Sequence, residues 1–408
     1  TLARTTYYQE NPQSYLLLSS FAFDSSVAGI FWTLCTGGKL VLPKHNTEQD
    51  MITLTALIHR EKVSHILCLP ALYQMLLETA HADQLSTLNV VILAGDMVLP
   101  SVVNSHFTYA PQAQLYNEYG PTEGTVWATV HQITATDPSI IPIGKPNDST
   151  GVVLLDSNDH PVPIGATGEV CLTGQGLARG YLNNPELTNR KFSDGFDYFG
   201  SAVRIYRTGD VGYFQQDGSL VFCGRTDQQV KVRGYRIELG EIESALASLD
   251  EVDDVAVITH RESESSPFRI LAFFSGNKAT EDRQLWVSKL SQQLPEFMIP
   301  NLFIQLEKIP RLPNGKIDRT ALTSKRVPLE LKQSNATPSD DSQRQLTSIW
   351  KEVLNLDEVR IDDNFFEVGG DSLSAMKIIN RIEQAFEKRI SVASVLDNPT
   401  IQSLSELL

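Results

Sequence analysis

The sequence predicts an α/β protein with a parallel sheet, then a β-rich lobe, a small α+β segment and an all-helical end. Three observations carry this. Between Tyr15 and Gly95, apolar strand-length runs closed by Gly or Pro alternate with helical stretches, the pattern of a sheet covered on both faces. From Ile143 onward, short strand-like runs follow one another between turn residues. Beyond a polar stretch at 324–342, the apolar period changes to that of helices. At 408 residues the chain has room for roughly two to three domains.

Each element follows in order. Helical residues from Val27 to Leu34 follow Asp24. Ser64-His65-Ile66-Leu67-Cys68-Leu69-Pro70 and Asn89-Val90-Val91-Ile92-Leu93-Ala94-Gly95 read as buried strands ended by a breaker, with a helix over Leu72 to Thr79 between them. Val152 to Leu155, Gly168 to Thr173 and Tyr206 to Tyr213 are short strands of the β-rich lobe. Gln229-Val230-Lys231-Val232-Arg233 alternates polar and apolar, a strand with one wet face. Gly234 interrupts it, and Ile237 to Glu243 leads into an amphipathic helix. Strands at Val255–Thr259 and Ile270–Ser275 and a helix near Gln284–Gln293 complete the small segment, which runs to about Leu322. Residues 324–342 carry Pro328 and Pro338 and no apolar period, so they read as a linker. Leu346, Ile349, Trp350, Val353 and Leu354 then mark one helical face, and Leu373, Met376, Ile379, Ile382 and Phe386 a second. A short helix over Thr400 to Leu408 completes a small bundle, near the lower size limit for folding alone.

Composition narrows the function. The chain is 41% hydrophobic and 20% charged, an ordinary globular balance, with net charge −15. That charge argues against nucleic acid as the main partner, since phosphate binding needs a basic surface. No apolar run is long enough to span a bilayer and no signal pattern is present, so a cytoplasmic protein without a membrane partner is expected. Cys35, Cys68, Cys171 and Cys223 stand singly with no metal-ligand spacing and read as reduced, buried thiols.

Several stretches carry chemistry. Gly224 to Glu243 reads GRTDQQVKVRGYRIELGEIE. Tyr206-Arg207-Thr208-Gly209-Asp210 precedes it, and Asn314-Gly315-Lys316-Ile317-Asp318-Arg319 follows. Asn117-Glu118-Tyr119-Gly120-Pro121-Thr122-Glu123 contains a GPT turn. The amide of Asn117 can read an adenine edge, the ring of Tyr119 offers a flat face, and Thr122 offers a hydroxyl to phosphate. Glu123 offers a hard oxygen to Mg²⁺. Phe365-Phe366 is followed by Gly369-Gly370-Asp371-Ser372-Leu373, where Asp and Ser open a helix. Together these blocks closely resemble the adenylation domains of nonribosomal peptide synthetases, followed by a peptidyl carrier protein. The resemblance covers nearly the whole chain.

What the resemblance implies is specific. The fold would be a partial adenylation core subdomain over 1–226, a C-terminal subdomain over 227–322, a linker over 323–341 and a carrier over 342–408. Nucleotide contacts fall on Asn117, Tyr119, Thr122, Asp210 and Arg225, with Asp210 accepting from the ribose hydroxyls. An Asp in such a Gly turn commonly bonds its own backbone instead. Glu123 is the metal residue. Asp24 pairs with the substrate α-amino group; read alone, it is a helix N-cap. Ser25, Ala28, Cys68, Ile92, Ala94, Glu118, Val126, Trp127 and Lys316 line the rest of the substrate site. Glu118 would be costly if buried unpaired, so it meets a cationic or hydrogen-bonding substrate side chain or else faces solvent. Trp127 takes up volume, which favours a small substrate. Lys316, on residues alone a solvated turn lysine, becomes the catalytic cation. Asp227 is the hinge, Gly234 lets the pantetheine arm pass, and Ser372 is the attachment site of 4′-phosphopantetheine.

The implied reaction joins ATP, Mg²⁺ and an amino acid, and passes the activated acyl group as a thioester to the arm on the carrier. Implied partners are the amino acid, a phosphopantetheinyl transferase, and neighbouring condensation or thioesterase domains. Two alternatives stay open: a free-standing ligase loading coenzyme A with acyl or aryl acids, and an inactive carrier and docking module. One departure stands out. The family's Ser/Thr/Gly-rich phosphate loop is missing upstream of Asp24, and the chain opens at Thr1 without methionine. A fragment is expected, poor at adenylation by itself for want of that loop's backbone amides.

Overall fold

The computed structural model describes residues 2–44, 50–81, 83–198, 200–226, 229–232, 235–249, 251–260, 269–276, 283–312, 317–324, 338–354, 356, 358–365, 368, 370, 372–386, 388 and 390–408. The chain forms two compact units, Thr1–Gly234 and Tyr235–Leu408.

The first unit opens with α1 (Leu2–Tyr7), β1 (Ser14–Leu16), α2 (Asp24–Cys35), β2 (Lys39–Val41), α3 (Met51–Arg60), β3 (His65–Cys68), α4 (Pro70–Thr79), β4 (Val90–Ala94), α5 (Pro100–Tyr109), β5 (Gln114–Tyr119), β6 (Thr129–Ile133) and β7 (Lys145–Pro146). The seven strands make one sheet in the order β2-β1-β3-β4-β5-β6-β7. The pairs from β2 to β5 are parallel, and β6 and β7 join antiparallel. The parallel centre follows from composition. HILC in β3 is buried at every position, and VVILA in β4 at all but the last, as strands covered on both faces require. Pro70 and Pro100 open α4 and α5, where a missing N–H costs nothing. Asp50 caps α3 by accepting from Thr53 N.

A second, antiparallel sheet follows. It is built from β8 (Thr150–Leu155), β9 (Gly168–Gly174), β10 (Phe192–Tyr198), β11 (Ser201–Phe214) and β12 (Leu220–Arg225), with α6 (Pro185–Lys191) before β10. Its order is β10-β11-β9-β8, and β12 also pairs with β11. Ile143 N donates to Leu220 O at 2.8 Å, and Gly144 bridges to Leu220, so the two sheets of this unit are tied beside β7. The last strand of the unit is β13 (Gln229–Val232).

The second unit begins with β14 (Tyr235–Glu238), α7 (Leu239–Ala247), β15 (Asp254–His260), β16 (Arg269–Ser275), α8 (Arg283–Leu290), β17 (Leu302–Gln305) and α9 (Arg319–Ser324). The sheet β15-β16-β17 shares an apolar core with Ile309 and Leu322. The helical end comprises α10 (Asp341–Leu354), α11 (Ser372–Phe386), α12 (Val392–Asp397) and α13 (Ile401–Ser405), with its own core around Trp350 and Phe365.

Three expectations need correction. Asp24 is not the N-cap of α2: Phe23 holds that position, without a side-chain cap bond, and Asp24 is the first helical residue. Cys35 and Cys223 are exposed, while Cys68 and Cys171 are buried; all four are free thiols. On α11 the deepest face is Ala375, Ile378 and Ile382, flanked by Ile379 and Phe386, so Met376 lies off the expected stripe. The 3.6-residue period puts 375, 378 and 382 under one another, and the small Ala375 gave no apolar signal.

Candidate functional site

Strand β5 organises the site. Side chains alternate across a sheet, so Asn117 and Tyr119 share one face and Glu118 stands on the other. Register places Asn117 beside Leu93, and Glu118 between Ala94 and Val130. The residues expected at the nucleotide and one expected at the substrate therefore lie back to back.

On the Tyr119 face, hydrogen bonds join the motifs. The Tyr119 hydroxyl donates to Asp210 Oδ2 at 2.5 Å, across ninety-one residues of sequence. Arg225 Nη1 pairs with Asp210 Oδ1, and Arg225 Nη2 donates to Thr208 O at 2.9 Å. Asp210 N donates to Thr208 Oγ1 at 2.9 Å, and Thr208 Oγ1 to Val170 O at 2.7 Å. The Tyr119 phenol is held well above its ordinary range, first by burial and then by the Asp210 carboxylate. Its ring packs in a core with Ala128, Leu172, Tyr206 and Leu220. Asn117 is buried, and its side-chain amide donates to Pro142 O at 2.8 Å, while its oxygen has no hydrogen-bond partner among the described residues.

After β5, residues 122–124 form a short 3₁₀ turn that exposes Thr122 and buries Glu123. Tyr181 donates to Glu123 Oε1 at 2.6 Å, and Ala178 N donates to Glu123 O at 2.8 Å. Burial, then the bond to Glu123, raises the Tyr181 phenol above its ordinary range. The donor set suits Mg²⁺: that ion takes one or two protein carboxylates and fills its other positions with water and phosphate oxygens. Beyond the turn, Thr125 and Val126 adopt φ of 63° and 75°. Two β-branched residues in the left-handed region are strained, and surrounding contacts must hold them. Thr125 Oγ1 donates to Gly176 O, Trp127 N to Thr125 O at 3.0 Å, and Asn147 Nδ2 to Trp127 O at 2.9 Å. The backbone of Trp127 is fixed by this brace.

The other face of β5 belongs to an apolar cluster that holds three of the substrate candidates. Ile92, Ala94 and Trp127 belong to one apolar cluster with Tyr8, Tyr15 and Trp32 of α2. Asp24, Ser25, Ala28, Ala94 and Val126 are half-buried; Cys68, Ile92, Glu118 and Trp127 are buried. Among the described residues the Asp24 carboxylate has no hydrogen-bond or ionic partner. Ser25 Oγ donates to Ser19 Oγ at 2.8 Å. The Tyr15 phenol is pushed up by burial, opposed by Arg4, and raised further by Glu118 and Cys68, which sets these groups in one neighbourhood.

Glu118 is closed off from solvent. It is 3% exposed; Arg4 Nη2 lies 2.5 Å from its Oε2, and the Tyr8 hydroxyl donates to Oε1 at 2.5 Å. The cost of burying the carboxylate is met from within the chain, by one cation and one hydroxyl donor. Sequence reasoning missed Arg4, Tyr8 and Tyr181 as partners. The cost of a buried Glu118 was the one signal that could have prompted a search for a basic residue.

Asp227, Gly234 and Lys316 lie outside the described residues. Ser372 is the first residue of the fifteen-residue helix α11. Just before it, Gly370 N donates to Phe365 O at 2.7 Å, and a Cβ on Gly370 would stand 2.4 Å from the Phe365 ring. Phe365 also meets Trp350 edge-on at 5.2 Å between centroids. The chain entering α11 is thus pressed onto the bundle core.

Comparison with known proteins decides the family. Residues 2–182 match the AMP-binding enzyme family and residues 344–408 the phosphopantetheine attachment site. The chain belongs to the nonribosomal peptide synthetases, as an adenylation segment followed by a carrier domain. It is 37% identical to Gramicidin S synthase 2 of Aneurinibacillus migulanus over 99% of this chain and 9% of that protein. It is 34% identical to Surfactin synthase subunit 1 of Bacillus subtilis (strain 168) over 100% of this chain and 11% of that protein. The chain therefore spans about a tenth of the length of these relatives. Among solved structures it resembles a holo nonribosomal peptide synthetase protein containing adenylation and PCP domains bound to a vinylsulfonamide inhibitor. That likeness has a TM-score of 0.79 and 29% identity, covering 97% of this chain and 65% of the other. A four-domain synthetase bound to AMP and glycine matches with a TM-score of 0.51 and 32% identity, over 100% of this chain and 30% of that one. An adenylation segment works with ATP and Mg²⁺, and a carrier domain with 4′-phosphopantetheine. No helix among the described residues is long and apolar enough to cross a membrane.

Proposed function

We propose that this chain adenylates an amino acid with ATP and delivers it as a thioester to the carrier domain that follows. The observation that carries the reading is the cluster of Tyr119, Asp210 and Arg225, which joins three separate motif blocks by hydrogen bonds. A ribose would find Asp210 oriented by two donors, and the oxygen of Asn117 faces the same side of β5. Glu123, steadied by Tyr181, would hold Mg²⁺, which when bound offsets phosphate charge. Thr122 would donate to phosphate. Asp24, half-buried and without a described partner, would take the substrate ammonium, with Ser25, Ala28, Cys68, Ile92, Ala94, Val126 and Trp127 around the side chain. Lys316 would stabilise the transition state, Asp227 serve as hinge, and Gly234 admit the arm. The phosphopantetheine arm supplies a thiol when attached to Ser372, at a helix start whose free N–H groups favour a phosphodiester. The expected partners are a phosphopantetheinyl transferase and adjoining condensation or thioesterase domains, in the cytoplasm.

The test is covalent loading of the full-length protein. After treatment with a phosphopantetheinyl transferase and coenzyme A, mass spectrometry of the intact protein should show the arm. Addition of ATP and the cognate amino acid should then add the acyl group. Ser372→Ala should remove both mass gains while leaving amino-acid-dependent pyrophosphate exchange intact. Acylation of free coenzyme A in place of the protein would favour a free-standing ligase. Loading only by a separate enzyme would favour an inactive module.

A further inference from the structure

Glu118 carries a carboxylate into the sheet between β4 and β6, among the residues proposed to surround the substrate side chain. Both its oxygens are engaged by α1 and the residue after it: Arg4 at 2.5 Å and Tyr8 at 2.5 Å. Arg4 is itself 3% exposed. Its guanidinium carbon lies 4.9 Å from the ring centroid of Trp127, 5.6 Å from Trp32 and 5.9 Å from Tyr8. A cation among aromatic faces and beside a carboxylate is held from several sides. Burial is the largest influence on Arg4 and opposes its charge, but Glu118, Tyr8 and Tyr15 together hold the guanidinium above its ordinary range. The pair is neutral as a whole. Trp127 packs on Arg4 from within the substrate group.

We propose that Arg4 is a specificity-determining positioning residue: by covering and neutralising Glu118, it makes this wall uncharged and shallow, so that the amino acid accepted has a small, uncharged side chain. The inference rests on the adenylation reading and adds its substrate class. A cationic side chain would have to displace Arg4 from three aromatic rings and a carboxylate, or remain unpaired. An anionic one would meet a carboxylate whose countercharge among the described residues, Arg4, is already engaged. Both costs act as discrimination against the wrong substrate.

The experiment is amino-acid-dependent ATP–pyrophosphate exchange by the full-length protein. It uses glycine, alanine and serine as one class, ornithine and lysine as a second, and aspartate and glutamate as a third. The wild type should favour the first class over the second by about tenfold or more in kcat/KM. Arg4→Gln keeps an amide donor for Glu118 and removes the charge; it should narrow that gap by about tenfold, chiefly through KM of the cationic class. Arg4→Lys should keep the wild-type ranking. If circular dichroism shows that Arg4→Gln does not fold, the paired Arg4→Gln/Glu118→Gln variant restores neutrality and should recover both fold and ranking. A wild type that prefers ornithine or lysine overturns the inference. So does an Arg4→Gln variant that lowers every class in parallel, or a paired variant that accepts cations as well as alanine. Exchange with no amino acid of any class would overturn the adenylation reading, and this inference with it.

Discussion

At Asp210, both carboxylate oxygens are engaged from different strands, one by Tyr119 of β5 and the other by Arg225 of β12. Removing one donor from a buried carboxylate exposes the full cost of the unmet group. Tyr119→Phe keeps the ring in its core and deletes the hydroxyl that donates to Asp210. We expect it to destabilise the first unit by about 1–3 kcal/mol in urea denaturation and to raise the KM for ATP. An unchanged urea midpoint would show that Arg225 alone suffices for Asp210. Tyr119 and Asp210 each stood out in the sequence as members of motif blocks. Their mutual bond was not, because nothing local links residues ninety-one positions apart. Glu118 and Arg4 show the same gap more sharply. Sequence reasoning knew what a buried carboxylate would need, but an arginine in a short leading helix carried no periodic or motif signal.

Elements with strong local patterns were read well. The uninterrupted apolar runs of β3 and β4, and the Pro-opened helix α4, fell where composition put them. The entry to α11 shows what sequence could not resolve. Its GGDSL block named Ser372, yet the packing reason for Gly370 appears only in three dimensions, where the Phe365 ring lies against it. Phe365 is fully buried and meets Trp350, so it has no free space into which to swing. Gly370→Ala should therefore strain the bundle, costing about 1–3 kcal/mol by thermal unfolding, and slow phosphopantetheinylation at Ser372. Normal stability with normal modification would mean that the ring relaxes at no cost. The misread stripe on α11 has the same origin: Ala375 is central because the helix packs closely there, and a small residue is silent in an apolar count.

For the whole molecule, two compact units with separate cores invite a question of condition-dependent stability. In the first unit His65 and His106 are buried, and burial lowers both rings from 6.5 to about 4. His106 is satisfied as a neutral ring: Nε2–H donates to Ala113 O at 3.0 Å, while Nδ1 accepts from the Tyr73 hydroxyl at 2.7 Å. The unfolded chain takes up protons on these rings as pH falls through about 6.5, and the folded chain only near pH 4. Stability is therefore full above about pH 6.5, falls progressively toward pH 4, and loses no more from these groups below that. On the order of 3 kcal/mol per histidine is at stake. Urea midpoints of the full-length protein measured from pH 7 to pH 4 should decline, and His106→Gln should flatten part of that slope. An identical slope in the variant would assign the acid sensitivity elsewhere.

Strand β5 seats Asn117 and Tyr119 on one side and Glu118 on the other by nothing more than the two-residue pleat. Inserting or deleting one amino acid within 114–119 would swap the occupants of both chambers at a stroke. Anyone grafting a new selectivity into this scaffold can exchange letters in that run, but must keep its length.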